Sequence, residues 1–490
     1  MNAAGFLLAT GDSNAIALEC GAERLTYGEL RAAVGHAAGA WRARGLQQGE
    51  RVLVFAPDNI PWVIAYLGTI WAGGVAVGLN SRLFERELSI VLSESGARFI
   101  WCKESSRAVL ERLLANIAVA PQLVIDEQWS ANLAAASMVP AADLPENAPA
   151  LWVYTSGTTG VPKAVIHAQR TVIGGADFAR GIFGLDARDR IYATSKLFFS
   201  YALGNSLFAG LRLGAAVILD GEWPTAERAA EVVERHRPTA LFSVPTLYLK
   251  MLQTGVAARL RAAGVRRYGS AGEALPAAVR GEWRESTGVA PVSGYGASET
   301  VVLAFYCDDD SALLKPSPGV EYRMRDGGDA GAPWRLWLRH PSVALGYWRR
   351  PDYERDSFED GWFSPGDLFR QRGDRCLEFC GRDDDMLKIS GQWVSILQVE
   401  QTLLGACAGC AEGMAAIGFE NADGLVSIAL FVVAATGQET QARERLDAGI
   451  AALPKLKRPR LVKWVSELPL TATGKLQRRK LKDLYLGGAA

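Results

Sequence analysis

The stretch Tyr154-Thr-Ser-Gly-Thr-Thr-Gly-Val-Pro-Lys-Ala164 gathers hydroxyls, two glycines and one lysine directly after the apolar run Leu151-Trp152-Val153. Thr155, Ser156, Gly157, Thr158, Thr159 and Gly160 offer backbone amides and hydroxyls that can cradle phosphate oxygens, and Lys163 adds positive charge. The spacing excludes a P-loop, which requires Gly-x-x-x-x-Gly-Lys-Ser/Thr. Taken alone, the cluster also suits a polar surface turn. Further along stand Ser270-Ala-Gly-Glu273, Gly294-Tyr-Gly-Ala-Ser-Glu-Thr300, Gly366-Asp367, Gly381-Arg-Asp-Asp-Asp385 and Thr473-Gly-Lys475. By residue type alone, Tyr295 to Glu299 is a tight turn with one carboxylate, and Asp367 is an acceptor-only group behind a turn. Arg382 is a planar fixed charge, and Lys475 is a cation on a Gly-led tip within a basic tail.

In this order and at these separations, the motifs resemble the signature of the AMP-forming adenylating superfamily of acyl-CoA ligases, carrier-protein adenylation domains and luciferases, over nearly the whole chain. The resemblance implies that a carboxylate attacks the α-phosphate of ATP, giving an acyl-adenylate and pyrophosphate, before coenzyme A takes the acyl group. Such chemistry is driven by positioning and by stabilisation of charge gathering on phosphate oxygens. By family match the loop Thr155 to Gly160 and Lys163 hold the phosphates, and Ala271, Gly272, Glu273 and Gly296 line the nucleotide. Tyr295 stacks on adenine, Ser298 hydrogen-bonds the α-phosphate and Glu299 holds Mg²⁺. Asp367 takes the ribose hydroxyls, with Arg382 near ribose or phosphate. Lys475 reaches the carboxylate and α-phosphate during adenylation, Asp384 is the hinge, and Gly391 lets pantetheine pass where a side chain would block it.

Within the superfamily, Lys196-Leu-Phe-Phe-Ser-Tyr-Ala-Leu-Gly-Asn205 and Met386-Leu-Lys-Ile-Ser-Gly-Gln-Trp-Val394 are similar to the benzoate-CoA ligase branch, which implies an aryl or related cyclic acid. The same likeness puts Phe199, Ser200, Tyr201, Gly296, Val302 and Leu303 around that acid. Val302 falls where the branch usually carries histidine, so a greasier pocket and a bulkier or less polar ring acid are expected. Ala164 replaces the glycine that closes the phosphate loop, and Pro365 replaces a threonine. An added Cβ at a close-approach loop and a lost hydroxyl beside the ribose carboxylate would slow adenylation. The alternative reading is therefore an enzyme that mainly thioesterifies a supplied adenylate, or one that loads a separate carrier protein.

The elements that must position these groups read as α/β. Strand-like runs alternate with amphipathic ones: Arg51 to Phe55, Trp62 to Trp71, Val75 to Leu79, Glu85 to Ser95, Arg98 to Trp101. A large N-terminal domain of helix-covered sheets is expected over residues 1–383, with a small mobile α+β domain over 384–490. In the small domain, helices are expected at Ile396 to Leu404 and Glu439 to Ala452, and strands at Gly413 to Gly418 and Val426 to Val433. The 490 residues carry 53 basic and 53 acidic side chains, which gives no bulk field for nucleic acid or an anionic membrane, so the partner is a small molecule. A homodimer is left open. Residues 59–81 lack charge, but Pro61 and several glycines break them into a buried helix and a strand rather than a membrane span. Seven cysteines and an N-terminus without a basic leader suit free thiols in the cytoplasm. Neither the Cys376/Cys380 nor the Cys407/Cys410 pair has a zinc knuckle around it, and the four scattered histidines read as structural.

Overall fold

The computed structural model describes residues 1–156, 162–325, 333–382, 385–389, 392–420, 425–470 and 476–486, with backbone alone for Ser156, Arg479 and residues 484–486. The chain forms two compact units, one of Met1–Thr155, Pro162–Tyr322 and Leu338–Phe363, the other of Ser156–Val161, Arg323–Trp337 and Ser364–Ala490.

The first unit is α/β, built on two helix-covered sheets. In one, Gln122–Ile125, Phe99–Cys102, Arg51–Phe55, Val75–Gly78 and Pro149–Ser156 lie side by side in parallel. Pro162–Ala168 follows as the next strand, and Gly346–Tyr347 closes the edge antiparallel to it, with Tyr347 opposite Val165. In the other, Ile16–Cys20, Ala216–Leu219, Arg190–Ala193, Ala240–Ser243, Arg267–Ser270 and Val292–Tyr295 run parallel. Antiparallel strands, Glu23–Thr26 on one side and Phe305–Cys307 with Lys315–Pro316 on the other, border this parallel core. Strands such as Val75–Gly78 and Ala216–Leu219 are apolar throughout because helices cover both faces.

The uncharged stretch is the helix Ile60–Trp71 followed by the strand Val75–Gly78. Asn59 caps the helix, its Oδ1 accepting from the Trp62 amide at 2.8 Å, and Pro61 occupies the first turn. Trp62, Val63, Tyr66, Leu67 and Ile70 are buried in the largest apolar cluster, which explains why a helix can be apolar on every side. Among the described residues no helix is long and apolar enough to cross a membrane.

In the second unit, Asp367–Gln371 pairs antiparallel with Leu377–Arg382, and Met386–Ile389 with Gln392–Ser395. Ala411–Glu420, Val426–Ala434 and Leu461–Trp464 form a separate sheet whose two faces follow the strand period. Met414, Ala416, Ile428 and Leu430 pack beneath the helices Ile396–Ala406 and Glu439–Ala452. Ala415, Ile417, Ala429 and Phe431 face the other way, against Leu481 of the helix Arg478–Leu486. Arg478 ties that helix down: its guanidinium binds Glu400, lies 3.2 Å from Asp385 Oδ1 and donates to the Ala416 carbonyl at 2.7 Å.

Candidate active site

In the first unit, the expected nucleotide residues follow the C-terminal ends of neighbouring parallel strands, where open α/β sheets bind ligands. Ala271, Gly272 and Glu273 come directly after Arg267–Ser270, and Gly296 to Glu299 directly after Val292–Tyr295; Ser270 and Ser293 are in register across the pair. Thr155 lies at the end of its strand and Lys163 near the start of the next. The Tyr295 ring is half-exposed and meets Phe305 edge-on at 6.0 Å.

Glu299 is the centre of the arrangement. Its carboxylate Oε1 accepts from the Tyr347 hydroxyl at 2.7 Å, and its backbone carbonyl accepts from the Ala344 amide at 2.8 Å. The Ser298 carbonyl lies 2.9 Å from His167 Nε2, and because a carbonyl can only accept, that nitrogen carries the proton. His167 is fully buried, and burial pushes its pKa down to about 4, so the imidazole is a neutral donor bracing the turn. On the strand Pro162–Ala168, Lys163 Nζ lies 4.1 Å from the Tyr353 ring centroid and 5.0 Å from that of Tyr347. No group of three or more His, Cys, Asp or Glu able to hold a metal occurs among the described residues. One half-buried carboxylate instead fits Mg²⁺, which takes few protein oxygens and completes its shell with water and substrate phosphate.

The residues after Glu299 adopt a conformation that sequence does not announce. Val301 is β-branched yet has φ 60°, and the Val302 amide bonds the Thr300 carbonyl at 2.6 Å across it, the strained form of γ-turn. Thr300 Oγ1 holds the turn shut, accepting from the Ala297 amide at 3.1 Å and donating to the Val302 carbonyl at 2.8 Å. Backbone strain of this kind gathers at functional sites.

The residues expected around the acid lie near this turn. Tyr201 donates its hydroxyl to the Gly269 carbonyl at 3.0 Å, and its ring meets Phe242 edge-on at 6.2 Å. Leu303, Ala271 and Phe242 share one apolar cluster with it, and Val302 is buried too. Phe199 and Ser200 are half-buried, with the Phe199 ring 4.3 Å from that of Phe198. Just past them the helix widens to π geometry over Leu203–Phe208, and Asn205 Nδ2 donates to the Tyr201 carbonyl at 3.0 Å. Gly204 sits in this wide turn against the strained residue: a Cβ there would stand 2.3 Å from the Val301 carbonyl oxygen. At Gly296 a Cβ would meet the Val302 carbonyl oxygen at 2.8 Å. The segment entering the pocket is pinned from behind, the Leu197 amide donating to Asp58 Oδ2 at 2.9 Å and Lys196 Nζ to the Asp220 carbonyl at 2.6 Å. Burial pushes Asp58 up to about 7 and Lys196 down.

Ala164 packs into the core. Its methyl is buried in an apolar cluster with Val77, Leu79 and Trp152, and its carbonyl accepts from the Trp348 amide at 3.0 Å. The added Cβ therefore fills core.

In the second unit, Asp367 and Arg382 face each other across an antiparallel pair, Arg382 Nε lying 3.7 Å from Asp367 Oδ1. Arg382 also donates to the Pro365 carbonyl at 3.4 Å. Gly157, Thr158, Thr159, Gly160, Asp384, Gly391 and Lys475 lie outside the described residues.

Comparison with known proteins follows the same lines. Residues 8–348 match the family described as AMP-binding enzyme. The 3-hydroxybenzoate–CoA ligase of Aromatoleum sp. (strain CIB) is 39% identical, with 100% of this chain and 98% of that protein aligned. The 3-hydroxybenzoate–CoA/4-hydroxybenzoate–CoA ligase of Thauera aromatica is 36% identical, with 99% of this chain and 97% of that protein aligned. A crystal structure of an anthranilate CoA ligase in complex with anthranoyl-AMP matches with a TM-score of 0.89 at 28% identity, covering 100% of this chain and 98% of that one.

Proposed function

The chain belongs to the AMP-binding enzyme family, and from that premise we propose 3-hydroxybenzoate, or another single-ring benzoate of similar size, as the acid it activates. It is an ATP-dependent, AMP-forming acid–thiol ligase that uses ATP, Mg²⁺ and coenzyme A to turn an aryl carboxylic acid into its thioester. The observation that carries the choice of acid is full-length likeness to two ligases whose names share 3-hydroxybenzoate. The chemistry of the expected acid-binding residues agrees with it: Tyr201, Phe242 and Leu303 share one apolar cluster and Val302 is buried, surroundings suited to an apolar ring.

In this reading Thr155 to Gly160 and Lys163 bind the phosphates, Ser298 the α-phosphate and Tyr295 the adenine. Glu299 would hold Mg²⁺, which would supply charge to offset that of the phosphates. Asp367 and Arg382 form the ribose pair, and Lys475 stabilises charge at the reacting carboxylate. A hinge at Asp384 and the passage at Gly391 serve the second half-reaction. The free thiols of all seven cysteines support a reducing, cytoplasmic setting.

The test is a panel of hydroxybenzoates, aminobenzoates, and alicyclic and polycyclic acids with ATP, Mg²⁺ and coenzyme A, following AMP, pyrophosphate and thioester by mass spectrometry. The highest kcat/KM is expected for a hydroxybenzoate. A clear preference for a bulkier ring, which Val302 alone suggested, would overturn the substrate assignment. Thioester from synthetic aroyl-AMP but never from acid plus ATP would overturn the complete ligase cycle.

A further inference from the structure

We propose that Tyr347 is a positioning residue for adenylation, a single phenol that fixes both the metal carboxylate Glu299 and the phosphate lysine Lys163. The inference rests on the nucleotide roles given above to those two residues and adds a third group that neither sequence motif contains. Tyr347 is buried, and its strand is hydrogen-bonded along Pro162–Ala168 by Leu345 N to the Ile166 carbonyl at 2.7 Å and Trp348 N to the Ala164 carbonyl at 3.0 Å. Its ring is wedged edge-on against Phe358 at 5.6 Å and Tyr353 at 6.4 Å, which leaves it little rotational freedom.

From that fixed ring two bonds leave in different directions. The hydroxyl donates to Glu299 Oε1 at 2.7 Å, and among the described residues no other side chain binds this carboxylate. One oxygen is therefore oriented and the other remains for a cation. The ring face and that of Tyr353 attract the Lys163 ammonium, at 5.0 and 4.1 Å from the centroids. Glu299 thus has a neutral partner that orients it without neutralising it, and the Lys163 ammonium is drawn to the same ring. The spacing between cation and carboxylate is set by one rigid ring before substrate arrives, which is how preorganised electrostatic sites avoid reorganisation during the reaction.

The test uses the full chain with Tyr347→Phe, which keeps the ring but removes the hydroxyl, and Tyr353→Leu, which removes one aromatic face. Mn·ATP binding is followed by calorimetry, adenylation by ATP–pyrophosphate exchange, and the second half-reaction by thioester formation from synthetic aroyl-AMP and coenzyme A. For Tyr347→Phe the expected result is an about tenfold higher metal concentration at half-saturation, the loss of one charge-assisted hydrogen bond, with acid KM and the second half-reaction unchanged. For Tyr353→Leu the expected result is several-fold weaker ATP binding with the metal requirement unchanged. Wild-type metal dependence in Tyr347→Phe, or equal losses in both half-reactions, would overturn the proposal. Should either variant fail to fold, Glu299→Gln decides: it must weaken Mn·ATP binding, and an unchanged affinity would overturn the proposal. A wild-type chain that binds Mn·ATP through these residues but makes no thioester would sink the ligase reading and leave the Tyr347 inference standing.

Discussion

At the scale of single residues, chemistry and packing separate at Ala164 and Gly204. Ala164→Gly should cost about 1 kcal/mol of stability in denaturant unfolding, because it removes a buried methyl from beside Trp152 and loosens a strand. Its pyrophosphate-exchange rate should stay at the wild-type value, and a faster one would support the idea that this methyl hampers the phosphate loop. Gly204→Ala should do the reverse. A Cβ 2.3 Å from the Val301 carbonyl oxygen must displace either the strained turn or the wide helical turn, and both adjoin the residues proposed to bind the acid. The expected outcome is a fall of tenfold or more in kcat/KM for the acid with the KM for ATP unchanged, read by steady-state kinetics. The strain at Val301 and its close approach to Gly204 are not legible in the sequence, since a left-handed valine becomes visible only once its dihedral angle is known.

At the scale of elements, the strand Pro162–Ala168 does the most. Through Lys163 it faces Tyr347 and Tyr353, through Ala164 it enters the core, and through His167 it holds the Ser298 carbonyl. His167 and His340 are both held near pKa 4 by burial, against about 6.5 in an unfolded chain. Between those values the unfolded state binds more protons, so stability is full above about pH 6.5 and is lost as pH falls toward 4. The loss should approach about 3 kcal/mol per histidine at the acid end, seen as a fall in the unfolding midpoint from pH 7 to 4.5. His167→Gln, which can still donate to a carbonyl, should flatten part of that slope; an unaltered slope would show that His167 does not titrate with unfolding. Among strands and helices the sequence was largely legible: Arg51–Phe55 and Glu439–Ala452 have the expected bounds, and Ile60–Trp71 and Ile396–Ala406 differ by two residues at one end. The shorter partner Gly346–Tyr347 was not legible, because two residues carry no periodicity and their pairing depends on a distant strand.

At the scale of the whole molecule, the two units carry different parts of the proposed machinery. Glu299, Lys163 and the acid pocket belong to the first, whereas Asp367, Arg382 and Lys475 belong to the second. Lys475→Ala should lower the first half-reaction by about a hundredfold or more, as expected for loss of one charge that stabilises the transition state, while thioester formation from synthetic aroyl-AMP is spared. Equal losses in the two half-reactions would refute a role confined to adenylation. Arg478, three residues after Lys475 in sequence, ties the helix Arg478–Leu486 to Glu400 and Asp385.

What the sequence determined by itself was the kind of protein. Apolar runs of period-two and helical spacing specify local structure, and a chain of ordered motifs specifies the chemistry, because both are properties of neighbouring residues. Only the tertiary structure decided how those groups are held. The Tyr347 hydroxyl on Glu299, the neutral His167 behind Ser298 and the close approach of Gly204 to Val301 each join segments far apart in the chain. Such contacts, and the strain they can sustain, exist only when packing brings two backbones together, and no local pattern encodes the partner.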